Sequence, residues 1–194
     1  MTTIFHSPST NNVREAAFFE HFRSFFPDSA VVNEKAGIDS NALDLYVDKS
    51  KLMTALVDTS LLSSAAKQRC HEALEYCPPD IKVALSTSRV SFDIVVRQNG
   101  KFYYWEFHED QHRSLKNSRP KDVFSPSGEP VKVPRGLQRL IRDVWRVEHF
   151  QHYTIVWHDW FAQNKNEYKP SLEEGLYEHS LPGKFSFKNF WNMS

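Results

Sequence analysis

Two carboxylates, Asp93 and Glu106, flank an Asn99-Gly100 dipeptide within the runs 91–97 (SFDIVVR) and 101–107 (KFYYWEF). Asn-Gly between alternating apolar runs is a strong hairpin signal, because both central residues of a type I′ turn need positive φ. With Asn99 and Gly100 in those places, Gln98 faces Lys101 and Asp93 faces Glu106. Facing residues of an antiparallel pair have Cβ atoms about 4.5–5.5 Å apart, where like charges destabilise the hairpin. A divalent cation shared by the two carboxylates removes that repulsion, and oxygen ligands suit Mg²⁺ or Mn²⁺. The chemistry to expect is hydrolysis by a metal-activated water, with Asp93 and Glu106 holding the metal. The opposite face sets Phe92, Ile94 and Val96 against Phe107, Trp105 and Tyr103. That face is expected to be core and the carboxylate face to be the working one.

His108 lies two residues past Glu106 and shares its face if the strand runs on. Two carboxylates on adjacent strands, with a polar residue two beyond the second, resemble the PD-(D/E)XK nuclease superfamily. Ser91-Phe92-Asp93 stands at the Pro-Asp position and Glu106-Phe107-His108 at the Glu-x-Lys position, with histidine where that family has lysine. The segment WEFHEDQHR, Trp105 to Arg113, is similar to the very-short-patch repair endonuclease and its homing-endonuclease-like relatives, which often lack the lysine. Gln111-His112 matches the Gln-His pair of that branch, and Arg142-Asp143-Val144-Trp145-Arg146 stands where many members carry Arg-Asp-x-x-Lys. The resemblance spans residues 81–161. It implies a restriction-endonuclease-like fold and Mg²⁺- or Mn²⁺-dependent cleavage of DNA. Asp93 and Glu106 would hold the metal, and His112 or His108, with Gln111, would act on the attacking water or the scissile phosphate. Arg142 and Arg146 would orient phosphates or the catalytic loop. The competing reading is a nuclease-fold DNA-binding or structural protein that has lost its chemistry, for which the missing lysine is the best argument.

Charge distribution adds a partner. The chain is neutral overall, with 24 basic and 24 acidic residues, yet residues 111–150 hold nine Lys or Arg against four Asp or Glu. Arg135, Arg139, Arg142 and Arg146 recur at helical spacing. With Arg113 and Lys116 from the preceding segment, Arg139, Arg142 and Arg146 are the expected contacts to a DNA backbone. A homo-oligomer or a place in a larger nucleoprotein complex is compatible with that partner. Two cysteines, Cys70 and Cys77, make neither a zinc pattern nor a disulfide framework. No secretory signal precedes the first helix, and no apolar stretch approaches the roughly 20 residues of a membrane span. A cytoplasmic protein is expected.

Residues 11–26 read as a helix capped by Asn11-Asn12 and stopped by Pro27, with Val13, Ala17, Phe18, Phe22, Phe25 and Phe26 at helical spacing. Strand-like pieces (AVVNEKA and ALDLYVD) and an ambiguous LMTALVDTSLL follow, then a helix over 64–76 and a strand over 81–86. After the hairpin, residues 113–134 form a long polar segment with Pro120, Pro126, Pro130 and Pro134, of the kind that is usually functional. An amphipathic helix is expected over 136–150 and a strand over 152–161, while the tail from Gln163 has no clear period. The fold class to expect is mixed α/β, a central mixed sheet with the hairpin at its core and helices on its flanks. The whole, 1–194, is read as a single nuclease-like domain, with 81–161 as the core and 1–80 as an N-terminal helical elaboration.

Overall fold

A computed structural model describes residues 1–7, 12–34, 37–39, 46–58, 64–75, 79–82, 89–113, 118–119 and 133–184. Cys77, Lys116, the expected strand residues 83–86 and most of the proline-rich segment lie outside these. The chain divides into two compact units. The first takes Met1–Ile38, Arg89–Glu109 and Phe150–Leu181; the second takes Asp39–Ser88, Asp110–His149 and Pro182–Ser194. The boundary expected near residue 80 is replaced by this interleaving, because the N-terminal segment supplies strands to the same sheet as the hairpin.

The first unit is built on the Asn-Gly turn. Asn99 (φ 51) and Gly100 (φ 77) both have positive φ, and they join β7 (Ile94–Gln98) to β8 (Lys101–His108). Gln98 pairs with Lys101 and Ile94 with Trp105, the register expected. β1 (Thr2–His6) lies antiparallel to β7, and β2 (Ala30–Val32) lies parallel to β1. On the other side β11 (His152–Trp157) runs parallel to β8, and β12 (Gly175–His179) parallel to β11. The result is a mixed six-stranded sheet, ordered β12-β11-β8-β7-β1-β2, in which β7 alone runs against the others.

One face of this sheet carries Ile4, Ile94, Val96, Tyr103, Trp105, Phe107 and Val156. It packs on the helices α1 (Val13–Arg23) and α5 (His158–Asn164) through Phe18, Phe19, Phe22 and Phe161. Asn12 caps α1, its Oδ1 accepting from the Glu15 amide at 3.2 Å, which satisfies one of the donors the first turn leaves over. The buried stripe is narrower than the sequence suggested. Val13 and Ala17 are exposed, and Phe19 takes the inner place beside Phe18 and Phe22. Phe18 stacks on Phe107 at 4.7 Å and meets Phe161 edge-on at 5.0 Å, so the helices are held to the sheet by interlocking rings. The strand expected over 152–161 stops at Trp157, where α5 begins, and the tail holds β12, which its sequence did not announce.

The second unit contains α2 (Lys49–Asp58), α3 (Ser64–Glu75), α4 (Arg135–His149) and a short 3₁₀ helix, Asp110–Arg113. β4 (Tyr46–Asp48) pairs antiparallel with β5 (Asp80–Lys82), and β9 (Ser118–Arg119) with β10 (Val133–Pro134). The ambiguous LMTALVD run is therefore helix, within α2. α4 buries Leu137, Leu140, Ile141, Val144 and Trp145, and Cys70 is buried on α3. No helix among the described residues is long and apolar enough to cross a membrane.

His152, at the start of β11, is 1% exposed. Its Nε2–H donates to the Ser171 carbonyl at 3.1 Å, while Nδ1 accepts from the Tyr104 amide at 3.3 Å. Both ring nitrogens are thus committed as a neutral imidazole, and burial pulls its pKa down to about 4. A folded pKa below the unfolded one means that the unfolded chain binds the proton first. This contribution is full above about pH 6.5 and is lost as pH falls from there toward 4, amounting to about 3 kcal/mol. We expect denaturant midpoints to fall over that interval, and His152→Gln to flatten the decline. A midpoint just as steep in the variant would place the sensitivity elsewhere.

Candidate active site

Asp93 sits where the hairpin leaves its ladder. β7 begins only at Ile94, and Ser91 belongs to a separate strand, β6 (Arg89–Ser91), which pairs with β3 (Gly37–Asp39). The chain therefore bends at Phe92-Asp93. Phe92 turns away from Ile94 and Val96 and packs on Tyr104 (4.5 Å), Phe150 (5.0 Å) and Tyr153 (6.0 Å). The sequence reading had put Phe92 with the core residues on the other face; the bend breaks the alternation on which that rested. Asp93 is held at two points. Its Oδ2 accepts from the Phe107 amide at 2.8 Å, and its carbonyl accepts from His6 Nδ1–H at 2.9 Å.

Continuing the observed register by one step sets Asp93 beside Glu106, and Glu106 pairs in turn with Ile155 on β11. Ile155 pairs with Glu178 on β12. Glu106 and Glu178 thus share one row and one side of the sheet, with Ile155 between them, and Asp93 stands past the end of the hairpin ladder. The next row on that side holds His108, which pairs with Trp157. Their rings meet edge to face at 4.9 Å, and the Trp157 indole N–H donates to Glu178 Oε1 at 2.7 Å. Glu178 was missed from the sequence. Its place depends on a parallel strand pairing, and GLYEH is too short to announce a strand.

The face expected to be the working one is largely buried. Val95, Tyr104, Tyr153, Ile155 and Trp157 on it are all buried. Glu106 is 5% exposed and His108 0% exposed. A strand buried on both faces needs no polar alternation, which is how Glu106 and His108 come to lie among apolar neighbours. Among the described residues, no three or more His, Cys, Asp or Glu side chains group to hold a metal ion. The oxygen donors available are the Asp93 and Glu106 carboxylates. Mg²⁺ is commonly bound by one or two carboxylates with water and substrate phosphate completing the shell. By donor chemistry the pair fits that ion.

Asp93, Glu106 and His108 all belong to the sheet unit. Gln111, His112, Arg113, Arg139, Arg142 and Arg146 belong to the other unit. There Gln111 is exposed, whereas His112 is 8% exposed. An Arg139 guanidinium nitrogen lies 3.5 Å from His112 Nε2, the limit of a hydrogen bond, and can only donate there. Arg113 Nη1 pairs with Asp110 Oδ1 at 2.8 Å. Arg142 and Arg146 do not stand on the solvated stripe of α4 that their spacing suggested. Arg142 is partly buried, and Arg146 is 7% exposed and paired at 3.5 Å with Asp143, which is fully buried. Arg146 is thereby a fold residue and not an open phosphate contact. The cause is that α4 is buried round much of its circumference, so its cations must be internally partnered.

Searches against protein-family models, curated proteins and solved structures find no match to this chain.

Two measurements test these placements. Asp93→Asn keeps an oxygen for the Phe107 amide, while Asp93→Ala leaves a buried donor unmet. The alanine variant should therefore be less stable than the asparagine variant by about 1–3 kcal/mol in chemical denaturation. Equal stabilities would mean that the bond carries no weight. Asp143→Ala removes a buried carboxylate from beside the Arg146 guanidinium and should cost about 3–5 kcal/mol; a cost below about 0.5 kcal/mol would mean that the pair does not hold α4 in place.

Proposed function

We propose that the chain is a metal-dependent DNA endonuclease of restriction-endonuclease-like fold, with Asp93 and Glu106 as its metal-holding carboxylates. The observation that carries this reading is the hairpin register, which ends at the Ile94–Trp105 pair, one step short of Asp93 and Glu106. Facing like charges weaken a hairpin, and a shared cation gives the pair a use. His108, in the next row of the same face, supports the resemblance to nucleases with a histidine near the metal. The net positive charge of residues 111–150 suits a phosphate backbone. When bound, Mg²⁺ would supply a water of lowered pKa and neutralise charge on a phosphate. The protein's own part is to orient the two carboxylates and, through Trp157 and Glu178, to fix the His108 ring.

A second reading is a nuclease-fold module that binds DNA without cutting it. The burial of Glu106 and His108 favours it, since neither side chain is open to a duplex in this conformation. Supercoiled plasmid incubated with and without Mg²⁺ or Mn²⁺ separates the two. We expect nicking or linearisation only with metal, lost in Asp93→Asn and in Glu106→Gln. Retarded but intact plasmid under all conditions would select the second reading, and cleavage by Asp93→Asn would overturn the site.

A further inference from the structure

The Asp93 bend needs support from outside its own hairpin, and β1 supplies it. Position 93 lies one step past the last β7–β8 pair, Ile94 with Trp105. His6, the last residue of β1, pairs with Ile94 and reaches that carbonyl through Nδ1 at 2.9 Å. A carbonyl only accepts, so Nδ1 must carry the proton. The ring is 2% exposed and lies flat on Phe19 of α1, with centroids 3.8 Å apart and planes 18° apart. It is therefore pinned by the core on one side and bonded to the bend on the other. The Phe107 amide holds the Asp93 carboxylate from β8. Backbone and side chain of one residue are thus clamped from two different strands.

We propose that His6 is a positioning residue for Asp93, setting its carboxylate beside Glu106 and so tightening the binding of a divalent cation; this rests on the nuclease reading above. A carboxylate already oriented loses less freedom on binding an ion, the gain general to preorganised sites. His6 touches no reacting atom. Its effect passes through the Asp93 backbone.

The test exploits where side-chain amides place their N–H groups. Asn at position 6 sets an N–H close to the place of imidazole Nδ1, whereas Gln carries it about one bond further out, and both lose the stack on Phe19. The readouts are amide exchange at Phe107 by NMR and Mn²⁺ affinity by water-proton relaxation. In His6→Gln, exchange at Phe107 should accelerate and Mn²⁺ affinity fall, each by about five- to tenfold, the worth of one hydrogen bond. Exchange at Tyr103 and Val96, inside the ladder, should change equally in both variants. His6→Asn should keep Phe107 protection and Mn²⁺ affinity near wild type. Identical behaviour of the two variants at Phe107 would overturn the clamp. Should wild type bind no Mn²⁺, the metal reading fails by itself, and the Phe107 comparison still decides whether His6 holds the bend.

Discussion

The positive φ of Asn99 and Gly100 is the constraint from which the candidate site follows. A two-residue turn of this kind permits one register, and a slip of one residue would send every side chain of β7 and β8 to the wrong face. With the register fixed, Ile94, Val96, Tyr103, Trp105 and Phe107 form the surface on which α1 and α5 close. The same register ends one step short of Asp93 and Glu106. The stability of the core and the placement of the carboxylates are consequences of one local choice.

That choice is local in sequence, which is why it could be read there. The hairpin, its register and its core face, the Asn12 cap and the span of α4 all follow from neighbouring residues. What could not be read depends on distant ones. β1 and β2 join the sheet from the N-terminus, and β12 from the tail, by pairings that no short pattern encodes. The bend at Phe92 was hidden because residues 91–97 alternate without interruption; only the pairing of Ser91 with another strand breaks them. The arginine spacing of α4 marked a real helix, but spacing does not say whether a polar stripe meets water or a buried partner such as Asp143.

Burial changes the character of the site. An open acidic pair would be weakly held and easily screened, whereas Glu106 lies beside Ile155 and beneath few solvent paths. Charge interactions strengthen as water is excluded, so a cation held here would be felt strongly by both carboxylates. The surrounding contacts, from His6 and the Phe107 amide to Trp157 and Glu178, restrict motion of the groups concerned. These supports come from β1, β8, β11 and β12, so the sheet as a whole, not the hairpin alone, shapes the site.

The central claim is that Asp93 and Glu106 act as one unit toward a divalent cation. Calorimetric titration of Mn²⁺ into wild type, Asp93→Asn, Glu106→Gln and the double variant examines it directly. A shared ion predicts that either single change abolishes most of the affinity and that the second adds little, a strongly non-additive cycle. Independent, additive losses, or affinities unaltered by either substitution, would contradict the account.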